Sequence, residues 1–151
     1  MQRDLTDIEQ QRRMLHERGI CMVIPTYNNA GTIVDVVRRT KKQCDDVIVV
    51  CDGCTDGTIE LLQEVTDIVI VSCPDNGGKG AALKKGFQKA LKEGFSYAIT
   101  LDADGQHFPE DIHVFLEANI EHPDAIIVGQ RKGMEGVERT SGSNFANAFS
   151  N

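Results

Sequence analysis

Residues 101–107 read LDADGQH, which puts two carboxylates, an amide and an imidazole directly after the apolar run 97–101. Like charges this close repel, and the nearest basic residues along the chain are Lys92 and Arg131. A divalent cation would remove the conflict, and carboxylate oxygens suit Mg2+ or Mn2+. Asp102 and Asp104 alternate along an extended backbone, so both can project to one side of a strand end. One could bind a metal while the other orients a ribose, or both could ligate. A bare D-x-D recurs by chance; its place after a buried strand gives it weight. His107 is assigned to the loop or to a contact behind the ligands.

Two further stretches carry chemistry. CDGCTDGT (51–58) puts Asp52 at a strand end before a glycine, where its carboxylate can accept from a base or a ribose. Asp56 or Thr55 in the same stretch reads as a helix cap. NGGKGAA (76–82) fails as a phosphate loop, because Lys79 precedes Gly80 and not Ser or Thr, and Cys73 stands where the first Gly belongs. It fails as a dinucleotide fingerprint because Leu83 replaces the last small residue. What survives is a glycine-rich helix start with Lys79 as an anion contact, or equally a flexible turn with a solvated lysine. Cys51 and Cys54 form a C-x-x-C, but no further ligands sit at zinc spacing, and the pair lies in a turn rather than at a helix start. With an odd total of five cysteines, buried reduced thiols are the better reading.

These residues need elements to hold them. The runs 20–25, 46–50, 67–72, 97–101 and 125–129 are continuous, β-branched and bounded by turn residues, the pattern of strands buried on both faces. Helical spacing of apolar residues marks 31–42, 56–65, 79–93 and 110–121, and Pro109 suits the first turn of the last. Leu5, Ile8 and Leu15 suggest a short amphipathic helix before the first strand. The order βαβαβαβαβ predicts an α/β fold with a mostly parallel open sheet and helices on both faces. We expect the first four strands in the order 3-2-1-4, with the reversal between strands one and four bringing Tyr27 and Asp104 together. Ligands bind such sheets beyond the carboxyl ends of the strands, and polar, turn-forming residues follow all five runs. From Lys132 onward the composition changes to Gly, Ser, Asn and charges, which reads as a mobile loop and then the start of a helix.

The 151 residues fit one domain, and 40% hydrophobic content supplies a core. A net charge of −7 argues against nucleic acid as a partner. It leaves room for a small anion met by local donors or a metal. No secretory signal and no membrane-spanning apolar run is present, so a cytoplasmic location is expected.

The segments VIPTYNNAGTI, VIVVCDGCTDGT, NGGKGAALKKGF, LDADGQH followed by PEDI, and IIVGQRKG resemble, in order and spacing, family 2 glycosyltransferases. They look most like the dolichyl- or polyprenyl-phosphate sugar transferases. The resemblance runs from about Cys21 to Asn151. It implies the Rossmann-like, nucleotide-sugar-binding half of a GT-A domain, and inverting transfer from a UDP- or GDP-sugar helped by Mg2+ or Mn2+. By position, Pro25, Thr26 and Tyr27 match the first nucleotide-binding loop, and Asp52 matches the acid that hydrogen-bonds the base. Lys79 falls in the basic glycine loop. Asp102 and Asp104 match the D-x-D, with Asp104 the surer metal ligand. Gln106 matches a further metal-shell position, and Arg131 a basic residue before the acceptor loop.

Two departures stand out. Cys51-Asp52-Gly53-Cys54 keeps one acid where the family has an acidic pair and a Ser. The chain also stops where the family continues, so it reads as C-terminally truncated. The expected division is a lead-in helix over 1–19, a nucleotide-sugar-binding domain over 20–131, and a mobile acceptor loop over 132–151. A lipid-phosphate acceptor is expected over a saccharide hydroxyl, because no spare acid after Arg131 suits a general base. Peripheral association with the inner face of a membrane would come through the missing C-terminal parts. The competing readings are a non-catalytic nucleotide-sugar-binding fragment, transfer to a saccharide, and a nucleotidyltransferase. The last would want a Gly-rich basic loop after the first strand, which PTYNNAGT lacks.

Overall fold

Every residue of β1 (Ile20–Thr26) and of β2 (Val47–Asp52) is buried, as a continuous apolar run requires of a strand covered on both faces. The structure is a computed structural model that describes residues 5–129; Arg131 and the expected loop over 132–151 lie outside the described residues. α1 (Leu5–Glu17) leads into β1, followed by α2 (Ile33–Gln43), β2, α3 (Thr58–Leu62), β3 (Val69–Cys73), α4 (Lys79–Lys92) and β4 (Tyr97–Thr100). A 3-10 turn over Pro109–Asp111 then feeds α5 (Ile112–Glu121). The sheet has the order β3-β2-β1-β4, with all pairs parallel. Met22 of β1 sits opposite Val47 on one side and Ile99 on the other.

The order of the strands dictates which face each helix covers. Crossovers between parallel strands are right-handed. Stepping from β1 to β2 to β3 therefore puts α2 and α3 on one face, and the return step from β3 to β4 puts α4 on the other. The cores follow this division. One core joins Met22, Ile24, Val49 and Ile99 of the sheet to Leu15, Val36, Val37, Leu62 and Ile112 from α1, α2, α3 and α5. The second joins Val23, Ile48, Val50 and Ala98 to Ala82, Ala90 and Phe87 of α4. Alternation of β1 residues between the two cores is the ordinary period of a strand.

The expected fifth strand does not form. Residues 126–129 take no regular element and pair with no described strand, and Ile126 is exposed. The run has strand-like composition, but a strand also needs a neighbour's N–H and C=O groups. The run instead lies beside α5, where Gly129 backs onto the Phe115 ring. All five cysteines are free, four of them buried and Cys54 half-buried. Burial pushes the Cys44 thiol up to about 12. Burial, with Cys54 beside it, does the same to Cys51.

α4 approaches the sheet through Gly86. A Cβ at that position would run into Val23 Cγ1 and meet Val50 Cγ2 at 3.1 Å. Gly80, near the start of the same helix, faces open space. Alanine favours a helix over glycine by about 1 kcal/mol, whereas overpacking costs about 1–3 kcal/mol. Gly86→Ala should therefore lower the denaturation midpoint while Gly80→Ala leaves it unchanged or raises it, as read by urea unfolding.

Candidate functional site

The reversal between β1 and β4 opens a cleft of about 340 Å³ at the carboxyl ends of the strands. Pro25, Thr26, Tyr27, Asp52, Lys79, Asp102 and Asp104 all line it. Seven residues from four separate segments thus converge where the sequence pattern placed them. Gln106 does not line the cleft; it meets Asp104 through its backbone N–H, which donates to Asp104 Oδ1 at 2.9 Å.

The loop after β1 is held by asparagines that the motif reading passed over. Thr26 Oγ1 donates to Asn29 Oδ1 at 2.8 Å, and the Tyr27 N–H reaches the same oxygen at 3.2 Å. Asn28, at φ +53°, accepts from the Thr55 N–H at 2.8 Å. Asp56 Oδ2 accepts from the Ala30 N–H at 3.0 Å, and its other oxygen accepts from Thr58 N–H and Oγ1. Those hydrogen bonds, that from the Thr58 hydroxyl first, hold the Asp56 carboxyl below its ordinary range. Asp56 therefore does more than start α3: it ties the loops after β1 and β2 together. Tyr27 is left half-exposed over the cleft.

Asp52 is buried and already engaged. Its two oxygens accept from the Gly77 and Gly78 N–H groups at 2.9 and 3.0 Å. The turn behind it is tight: Gly53 has φ +75°, and a Cβ there would strike the backbone of Asn76. Asp52 thus anchors the glycine loop and sets where α4 begins. Each carboxylate oxygen keeps a second lone pair, so a ligand group entering the cleft can still be accepted.

Lys79, the first residue of α4, crosses the cleft and places its ammonium 2.5 Å from Asp102 Oδ1. The cation missing near the D-x-D in sequence is supplied here from another element. His107 brackets Asp102 from behind. Its Nδ1 accepts from the Asp102 N–H at 3.1 Å, which leaves the proton on Nε2, and Nε2 faces Asp102 Oδ2 at 3.6 Å. Asp104 is exposed, and no cationic side chain pairs with it among the described residues.

β4 ends at Thr100, and a turn with Gly105 at φ +85° follows, so the two aspartates sit on a loop rather than a continued strand. Two contacts, one from the residue before α2 and one from α2 itself, fix that loop. Thr32 Oγ1 donates to the carbonyl of Ala103, between the aspartates, at 2.6 Å. Arg39 clamps Glu110 through two nitrogens and stacks over the Phe108 ring at 5.9 Å. That hydrogen-bonded guanidinium holds the Glu110 carboxyl below its usual range. The sequence signal for both contacts was weak: Thr32 is one polar residue just before α2, and Arg39 is one of several charged residues on it.

As a donor set, Asp104 and Asp102 offer hard oxygens facing an open cleft. That fits a divalent ion of the Mg2+ or Mn2+ kind, which takes one or two carboxylates and completes its shell with water and phosphate oxygens. It does not fit a closed all-protein cage: no group of three acidic, His or Cys side chains placed to hold a metal occurs among the described residues.

Comparison with known proteins now places the chain. The family described as "Glycosyl transferase family 2" matches residues 21–146. The chain belongs to glycosyl transferase family 2. It is 30% identical over 132 residues to the UDP-N-acetylglucosamine–dolichyl-phosphate N-acetylglucosaminyltransferase of Methanococcus voltae, covering 76% of this chain and 53% of that protein. To the polyprenol monophosphomannose synthase of Mycolicibacterium smegmatis it is 35% identical over 104 residues, covering 64% of this chain and 39% of the relative. The chain thus spans about half the length of these relatives or less. Among solved structures, Mycobacterium tuberculosis glucosyl-3-phosphoglycerate synthase with Mn2+, UDP and phosphoglyceric acid superposes with a TM-score of 0.57 at 22% identity. That match covers 79% of this chain and 44% of the other. Staphylococcus aureus TarS 1-349 with UDP gives 0.58 at 22% identity, covering 80% and 38%. At this identity the two structures speak for the shared α/β fold.

The Thr32 contact is the sharpest test of how this family member holds its D-x-D loop. Thr32→Val keeps the shape and removes the donor, leaving the Ala103 carbonyl without that partner, a change worth about 1–2 kcal/mol. Hydrogen exchange should show faster exchange confined to 101–107, with the amides of β1 and β2 unchanged.

Proposed function

We propose that this chain is the donor-binding half of an inverting glycosyltransferase that takes a UDP- or GDP-sugar with Mg2+ or Mn2+ and delivers the sugar to a polyprenyl- or dolichyl-type lipid phosphate. One observation carries the reading: a carboxylate with no cationic partner among the described residues, an ion-paired carboxylate, a lysine and an anchored glycine loop meet in one cleft at the strand-order reversal. An acidic chain with those groups can bind a diphosphate only if cations meet it locally, and Lys79 together with a metal on Asp104 would do so. Pro25, Thr26, Tyr27 and Asp52 line the side of the cleft suited to the nucleoside. Arg131, outside the described residues, would assist Lys79 at the diphosphate.

In the transfer, an acceptor oxygen forms a bond to the anomeric carbon as the bond to the nucleoside diphosphate breaks. The electron pair leaves with the diphosphate. The metal, when bound, supplies charge stabilisation for that leaving group; Asp104, supported by Asp102, would hold it. Lys79 adds a second positive charge on the same side. A phosphate monoester has a second pKa of about 6, so a lipid-phosphate acceptor is already ionised near neutral pH and needs no base. A saccharide hydroxyl would need one. The activities of the archaeal and mycobacterial relatives named above, both on polyprenol-type lipids, support the phosphate acceptor. No helix among the described residues is long and apolar enough to cross a membrane.

Titration calorimetry with UDP and GDP, with and without Mn2+, tests the donor half. Wild type should bind at least about tenfold more tightly with the metal, a gain of about 1.4 kcal/mol, and Asp104→Asn should lose that gain. Equal metal dependence in both would defeat the metal role. A labelled sugar should move to polyprenyl phosphate in the fuller-length protein; transfer only to saccharide hydroxyls would defeat the acceptor assignment.

A further inference from the structure

The ion pair between Lys79 and Asp102 spans the cleft that both residues line. The Lys79 ammonium sits 2.5 Å from Asp102 Oδ1, inside the cleft that also holds Asp104. A divalent ion drawn to both aspartates would have to enter beside that ammonium. At equal separation, an ammonium and a divalent cation repel about twice as strongly as two carboxylates do. With Lys79 in place, Asp102 is neutralised, and of the two aspartates an incoming metal would meet only Asp104 without a cationic partner.

The lysine is free to leave. Its side chain is 60% exposed, and Asp102 is its one ion-pair partner among the described residues. It stands at the first position of α4, on a glycine whose φ is +93° and which makes no side-chain cap. The backbone beneath it is fixed, because Asp52 grips the Gly77 and Gly78 N–H groups. A fixed base and a flexible four-carbon arm let the ammonium turn through the cleft without moving the helix. Asp102 has support waiting when the lysine departs: the His107 ring, oriented by the Asp102 N–H, already faces Oδ2.

We propose that Lys79 is an exchangeable counter-ion: it occupies Asp102 while the cleft is empty and transfers its ammonium to the diphosphate of the incoming nucleotide, which frees Asp102 to face the metal. This rests on the donor-binding function given above and adds an order to it. Metal alone binds weakly because Lys79 opposes it. Nucleotide removes the opposition, so nucleotide and metal bind with positive coupling. Lys79 therefore has opposite effects on the two ligands. It disfavours Mn2+ in the empty site and favours the diphosphate.

Lys79→Met, which keeps the length of the arm without the charge, tests this. Mn2+ binding to nucleotide-free protein is followed by the electron paramagnetic resonance signal of free Mn2+, and UDP and GDP binding without metal by calorimetry. The expected result is Mn2+ affinity raised at least threefold and nucleotide affinity lowered at least threefold. Lys79→Arg should keep both near wild type. Circular dichroism checks that α4 is intact. Unchanged or weaker Mn2+ binding in folded Lys79→Met overturns the proposal, and so does absence of Mn2+ binding in both proteins. If neither protein binds UDP or GDP, the donor-binding function fails. Tighter Mn2+ binding by Lys79→Met would then still show that the lysine guards Asp102.

Discussion

The parallel pairing of β1 with β2 on one side and β4 on the other is the constraint on which the site depends. Because the crossovers are right-handed, the helices leaving β1 and β3 must go to opposite faces. Their departure leaves the carboxyl ends of β1 and β4 uncovered, and the cleft is the space between the diverging chains. The loops after β1, β2, β3 and β4 all reach that space, so a residue from each can touch one ligand. No single loop carries enough polar groups to bind a nucleoside diphosphate; the reversal brings them together.

Charge is the second organising fact. The chain carries a net charge of −7, and its cleft holds three aspartates. Each has a different solution to the cost of its charge. Asp52 is buried and satisfied by two backbone N–H groups, a charge-assisted arrangement that turns a carboxylate into a structural anchor. Asp102 is neutralised by Lys79 and backed by His107. Asp104 alone faces solvent with a single backbone donor. The graded treatment distinguishes residues that look alike in sequence: Asp52 is anchored by backbone donors, Asp102 is ion-paired, and Asp104 has no cationic partner among the described residues.

Much of the fold was legible because its strands are buried on both faces. Continuous runs such as ICMVIP and DVIVV admit few alternatives, and the order of strands and helices then limits the topology to a handful. The 125–129 run shows the limit of that logic, since composition reports burial potential and not the presence of a pairing neighbour. At the site, residue types at the strand ends pointed to the cleft, but partnerships did not follow from them. Asp52 lines the cleft, but its grip on the Gly77 and Gly78 N–H groups did not follow from its type, because the register that brings those groups beneath it is a tertiary fact. The Thr32 hydroxyl reaches a carbonyl 71 residues away. Lys79 and Asp102 likewise meet only through the sheet. Gln106, placed near the metal by resemblance, donates its backbone N–H to Asp104 and does not line the cleft.

The central claim is that the β1–β4 cleft holds a nucleoside diphosphate and a divalent ion on Asp104. A crystal structure with UDP or GDP and Mn2+, with anomalous data collected for manganese, tests it most directly. The account predicts one anomalous peak in the cleft, about 2.0–2.2 Å from an Asp104 carboxylate oxygen, a first-row metal–oxygen bond length, with the diphosphate on the same ion. A nucleotide bound in the cleft with no manganese at Asp104, or a manganese peak held elsewhere on the surface, would contradict it.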